Sequence, residues 1–127
     1  VAPVIPGLND SEIPAVLKAA ADAGAASASF IILRLPLTVE PLFLEWLNRQ
    51  LPNLATRVQN RIRSTRDGNL SQSEFHTRMR GTGIYADQIS KLFQIHRKRA
   101  GLDRQLPPCR TDLFRPPRTS DGQQFLF

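Results

Sequence analysis

Val1-Ala2-Pro3-Val4-Ile5-Pro6-Gly7-Leu8-Asn9-Asp10, running on through Ser11-Glu12-Ile13, is the stretch whose reading decides the fold. Val1 to Ile5 are rich in β-branched residues and read as a short strand. Pro6-Gly7 turns the chain. Asn9, Asp10 and Ser11 are all good N-caps for a following helix. Ile13, Val16, Leu17, Ala20 and Ala21 fall on the i, i+3, i+4, i+7, i+8 stripe of one helical face. Pro14 fits the first turn of that helix, and Gly24 ends it. With no initiator methionine ahead of it, the block reads as a βα unit from the interior of a larger domain.

Working outward, Ser29 to Leu35 reads as a second strand. Phe30-Ile31-Ile32-Leu33 is apolar without alternation, as in a strand covered on both faces. Strand, helix, strand in this order implies a right-handed crossover between parallel strands. Thr38 caps a third element whose apolar face is Val39, Leu42, Phe43, Trp46 and Leu47. Asn53 starts a helix to about Arg66 on a thin apolar line of Leu54, Val58 and Ile62. Residues 69–84 have no period and read as a loop. Tyr85 to Ala100 is a last helix, with Ile89, Leu92, Phe93 and His96 on one face. From Leu102 onward the chain is rich in Pro and Arg and reads as extended. The fold class is therefore α/β, in three parts: strands and helices over 1–52, a helical basic extension over 53–104, and a tail over 105–127.

The 127 residues carry a net charge of +6. The charge is uneven: residues 1–56 are net −2, residues 57–104 net +7 and residues 105–127 net +1. Such a block favours acidic partners, above all nucleic acid, but says nothing of fold. One cysteine, Cys109, makes an internal disulfide impossible and suits a reducing cytoplasm. No apolar run approaches the roughly 18–20 residues that span a bilayer.

Two blocks carry a resemblance. The Pro6-Gly7-Leu8-Asn9-Asp10-x-Glu12-Ile13 turn resembles the one after the fifth strand of radical S-adenosylmethionine (SAM) partial barrels. Phe30-Ile31-Ile32-Leu33-Arg34-Leu35-Pro36 then resembles the sixth strand and its exit. Phe75-His76-Thr77-Arg78-Met79-Arg80-Gly81-Thr82-Gly83-x-Tyr85-Ala86 is similar to the C-terminal extension of a radical SAM subgroup related to spore photoproduct lyase, often labelled "DNA repair photolyase". The likeness covers almost the whole chain. It implies the C-terminal βα units of a partial TIM-type barrel, followed by a helical basic extension. It also implies a parent enzyme with a [4Fe-4S] cluster and SAM, acting in DNA repair or nucleic-acid modification. The cluster cysteines of that family lie on an upstream loop, so the missing N-terminal half of the protein is the first expected partner. By position, the resemblance places Val4, Ile5 and Pro6 on the adenosine side of SAM. It places Leu33, Arg34, Leu35 and Pro36 at the adenine and substrate mouth.

Each candidate has a plainer reading beside it. The first turn is also simply a well-capped βα turn. Arg34 either holds an anion bidentately or snorkels to solvent. The basic block, with Arg57, Arg61, Arg63 and Arg66 on one helix and Arg97, Lys98 and Arg99 on another, either neutralises phosphates or is a solvated face. Arg78-x-Arg80-Gly81-x-Gly83 has the composition of an anion-binding loop, through side chains and backbone N–H groups. His76 and His96 have no partners at metal-ligand spacing. Gln123-Gln124-Phe125-Leu126-Phe127 resembles the peptide by which bacterial repair proteins dock on the DNA sliding clamp. Gln123, Leu126 and Phe127 would be its anchors; the alternative is a tail folded on its own domain. The competing class for the whole chain is a non-catalytic basic module that binds nucleic acid or the clamp. A separated barrel piece should expose the apolar residues from Phe30 to Leu35; a stand-alone module should cover its own edges.

Overall fold

The computed structural model describes residues 1–75 and 77–115. Their regular structure is helical: a short 3₁₀ turn at Asp10–Glu12, then α1 (Ile13–Asp22), α2 (Val39–Gln50), α3 (Pro52–Ser64) and α4 (Gly83–Arg99). Pro14 lies in the first turn of α1 and Pro52 opens α3, positions where the missing N–H has no intrahelical partner to lose.

The expected α/β class is overturned. Among the described residues there is no strand and no sheet, and so no βα barrel unit. The two extended segments meet at one parallel bridge, Val4 with Ile32, and a second isolated bridge pairs Ser27 with Asp103. The physical reason is a shortage of donors. Val4 N–H donates to the Ile31 carbonyl at 2.8 Å, and Leu33 N–H donates to the Val4 carbonyl at 2.8 Å. In a parallel ladder the next donor would be residue 6, which is proline and has none. Pairing stops there. The carbonyl of Leu33 is taken instead by Arg66, whose Nη2 donates to it at 2.7 Å.

The remaining edges are closed by groups other than strands. On the outer edge of the first segment, Asn9 Oδ1 accepts from the Ile5 N–H at 2.7 Å, and Asn9 Nδ2 donates to the Pro3 carbonyl at 3.2 Å. The Asn9 amide thus stands where a neighbouring peptide would, and it makes no helix cap. On the far side, Ile32 N–H donates to the Met79 carbonyl at 2.9 Å, and Arg66 Nη2 also reaches the Ile32 carbonyl at 3.4 Å.

The extended pair still forms a middle layer, because successive residues face opposite ways. Val4 and Ile32 join Ile13, Leu17, Ile89 and Phe93, the core between α1 and α4. Leu33 and Leu35 join Leu47, Ala55, Val58 and Ile62, the core beneath α2 and α3. Each fully buried Leu, Ile or Val contributes about 1.5–3 kcal/mol relative to exposure. Ile32, Leu33 and Leu35 are buried, so the expectation that a piece would expose Phe30 to Leu35 is not met. Apolar surface appears on α2 instead: Leu47 is fully buried, but Leu42 is 66% exposed, and Val39 and Trp46 are exposed too. No helix is long and apolar enough to cross a membrane among the described residues.

Candidate functional site

The Pro6-Gly7 turn, the outer face of α3 and the start of α4 converge. Leu8 N–H and Asn9 N–H both donate to the Ile5 carbonyl, at 3.0 and 3.2 Å, which closes the turn. Gly7 has φ +79°, a left-handed conformation that glycine adopts without strain. A Cβ placed there would lie 3.0 Å from Arg61 Cγ. The glycine therefore lets the stem of Arg61 cross the turn. Arg57 and Arg61 stand one helical turn apart on α3, so both guanidinium groups serve the same face.

From α4, the Tyr85 hydroxyl donates to the Asp10 carboxylate, and the Arg61 guanidinium sits 4.4 Å from the centroid of the Tyr85 ring. The Tyr85 hydroxyl is held above its ordinary pKa, first by burial and then by Asp10; Arg61 and Arg57 oppose that shift. Between these elements lies a cleft of about 590 Å³. Leu54, Ile89 and Leu92 give it an apolar floor, and Asp10, Arg57 and Gln88 line its polar part. A neighbouring hollow of about 510 Å³ shares Tyr85 and Gln88 and brings in Arg61.

The cations of this face have no carboxylate partners among the described residues. The ion pairs among the described residues are Lys18–Asp22 and Arg110–Asp112, and neither includes a cation of residues 57–104. Four members of the basic block do have structural duties. Arg66 is buried and donates to the carbonyls of Leu33, Ile32 and Thr77, so it is an internal clamp and offers no charge to a ligand. Burial, and secondly the charge of Arg34, push its pKa below the ordinary value. Arg97, Lys98 and Arg99 sit in the last turn of α4, where positive charge complements the helix dipole.

The 78–83 loop binds itself. The N–H groups of Arg80 and Gly81 both donate to the Thr77 carbonyl, at 3.1 and 2.8 Å, and that of Thr82 donates to the Thr65 carbonyl at 3.0 Å. No amide cradle for an anion is left at these three positions. Gly81 is required for packing: φ is +74°, and a Cβ there would meet the Thr65 carbonyl oxygen at 3.0 Å. Arg78 lies over the Phe75 ring at 4.2 Å. Arg80 projects into a different hollow, beside Arg97.

The seven residues assigned by resemblance to SAM are not gathered into a lining. Val4, Pro6, Leu33 and Leu35 are buried, Ile5 and Arg34 are half-buried, and Pro36 is exposed. The backbone of Val4 is fully paired. Arg34 and Pro36 border a separate hollow of about 460 Å³ with Glu40 and Gln72. As placed, these residues do not fit an adenosine. Nor does the chain fit an iron–sulfur cluster, which takes several thiolates, because its one cysteine, Cys109, is exposed and alone. No group of three His, Cys, Asp or Glu comes together among the described residues. His76 and the clamp-like anchors Gln123, Leu126 and Phe127 lie outside the described residues.

Comparisons with protein-family models, with curated proteins and with solved structures return no match. The site has to be read from its own chemistry.

Sequence reasoning singled out Arg57, Arg61 and the Pro6-Gly7 turn separately; the structure brings them together. It missed Tyr85, Asp10 and Gln88 as members of the same cleft. The available signal was weak: the chain's only tyrosine opens a helix that follows a basic loop.

Proposed function

We propose that this chain is the C-terminal part of a [4Fe-4S]- and SAM-dependent radical enzyme of the spore-photoproduct-lyase-like group, and that its residues hold a nucleic-acid strand. The enzyme half of this reading rests on the resemblance of the Phe75–Ala86 block alone, since the Pro6–Ile13 block resembles part of a βα unit that the described residues do not form. The strand-holding half rests on one observation: Arg57 lines a cleft with an apolar floor, Arg61 lines the hollow beside it, and neither has a carboxylate partner among the described residues.

The chemistry suits a polyanion. Guanidinium groups recognise phosphate oxygens through paired N–H donors and stay charged at every accessible pH. An apolar floor beside them accepts the face of a base or sugar. Asp10 lies inside the same cleft, and its carboxylate is occupied by the Tyr85 hydroxyl rather than by a cation. Arg57 and Arg61 are therefore left for an external anion. On this reading the cluster and the SAM chemistry would be supplied by other residues of the enzyme, and no catalytic step is assigned to any side chain here.

Two experiments test the halves separately. A labelled single strand titrated into the full chain, followed by fluorescence anisotropy, should show saturable binding that weakens with salt; no binding at low salt contradicts the strand-holding role. Coding DNA upstream of the Val1 codon should continue the frame and encode three closely spaced cysteines. A start codon immediately before Val1 would contradict the enzyme and leave the basic binding module.

A further inference from the structure

A second hollow, of about 270 Å³, lies between the Ser29–Phe30 segment, the Arg80 turn and the outer side of α4. Two arginines line it. Arg80 leaves a turn that is held at several points: its own N–H donates to the Thr77 carbonyl, and the Met79 carbonyl before it accepts from Ile32. Arg97 is fixed differently. Its Nε donates to the Leu102 carbonyl at 3.0 Å, which orients the guanidinium plane. Its terminal nitrogens have no hydrogen-bond partner among the described residues.

Neutral donors complete the set. Ser90 Oγ accepts from Gln94 Nε2 at 3.2 Å, so its own hydroxyl hydrogen remains free to donate to an anion. Ser29 brings a second hydroxyl to the rim. Phe30 packs on Phe93 with ring centroids 4.7 Å apart and closes the apolar side. No carboxylate of the described residues pairs with Arg80 or Arg97. Two arginines lining one hollow without a counter-ion favour an anion there.

We propose that the hollow between Arg80 and Arg97 binds a phosphate group. A fork-shaped guanidinium on each side and hydroxyl donors from Ser29 and Ser90 match the oxygens of a phosphate, and the Phe30 side accepts the carbon atoms attached to it. On the preceding reading this is a backbone phosphate of the bound strand. The site itself depends only on the residues that form it.

The test is a titration of the ¹⁵N-labelled full chain, followed by its amide and side-chain resonances. Inorganic phosphate and a dithymidine monophosphate should each shift the signals of Ser90, Gln94 and Arg97; thymidine, without phosphate, should not. Arg80→Gln alters an exposed side chain with no structural hydrogen bond, and should weaken the phosphate titration about tenfold. Arg57→Gln should leave it unchanged. Phosphate that moves none of these signals, or an Arg80→Gln variant that titrates like the parent, overturns the site. If Arg57→Gln lowers strand affinity but the pocket does not titrate, this inference fails and the strand-holding face stands. If the pocket titrates but no strand binds, the phosphate site stands and the strand is the part that fails.

Discussion

Arg66 donates to the Leu33 carbonyl at 2.7 Å, at the point where the proline at position 6 leaves that carbonyl without its ladder donor. One side chain thereby ends a nascent pairing and ties the end of α3 to the middle layer. Arg66→Met keeps the length but strands buried carbonyls, and should cost about 3 kcal/mol. Arg66→Lys should recover little, since one compact ammonium cannot span the carbonyls that the planar guanidinium reaches from two separate nitrogens. Urea unfolding of the three proteins checks this. Equal stability of Arg66→Met and the parent would remove the clamp from the account.

The chain has one tyrosine, so its ultraviolet titration reports Tyr85 alone. Burial and the Asp10 carboxylate hold the hydroxyl above its ordinary value, so the midpoint should lie above about 10. Asp10→Asn should bring it down. A raised folded-state pKa means the folded state holds this proton more tightly than the unfolded state. The associated stability is fully present below the unfolded value, and is lost as pH rises through the folded one. Tyr85→Phe should flatten that part of the stability profile above about pH 10. A midpoint at or below the ordinary value would contradict the contact.

Gly81 and Gly24 both have left-handed φ, +74° and +87°, but only Gly81 is crowded. Nothing lies within 4 Å of a Cβ at Gly24, whereas one at Gly81 meets the Thr65 carbonyl and Ile32 Cδ1. Gly24→Ala should cost about 1 kcal/mol, the backbone strain alone. Gly81→Ala should cost about 2–3 kcal/mol, because a fixed carbonyl must also move. Thermal melts of the pair give the contrast, and similar values for both would show that the Gly81 packing is not as tight as described.

Along α2, Leu47 is fully buried and Leu42 is 66% exposed, although both lie on the apolar stripe. Leu47→Ala should cost about 2–5 kcal/mol, and Leu42→Ala under about 0.5 kcal/mol. Chemical denaturation separates them; a large loss at Leu42 would mean that α2 packs by its other edge.

Helices α1, α3 and α4 are legible in the sequence because the spacing of Ile13 with Leu17, Val58 with Ile62, and Ile89 with Phe93 states which face is buried, and the structure buries them. The sheet is not. Val1–Ile5 and Phe30–Leu35 have strand composition, but pairing depends on donors, and Pro6 removes the one that would extend the ladder. Asn9 has the composition of a helix cap and acts on a strand-like edge. Arg66 sits among surface arginines and has no local mark of burial; its partners lie about 33 residues earlier. The site was half legible for the same reason. Arg57 and Arg61 share a helical face by spacing, but Asp10 and Tyr85 are 75 positions apart, and only the tertiary fold joins them.

Arg57 and Arg61 on α3, which have no carboxylate partner among the described residues, are proposed to hold nucleic-acid phosphates. The most direct measurement is the salt dependence of strand binding for the parent and for Arg57→Gln/Arg61→Gln, between about 50 and 200 mM salt. The account predicts a linear fall of log affinity with log salt, and a slope shallower by about 1.4 in the double variant on a single strand, two phosphate contacts fewer. An unchanged slope with unchanged affinity would mean that Arg57 and Arg61 are a solvated face, and would contradict the account.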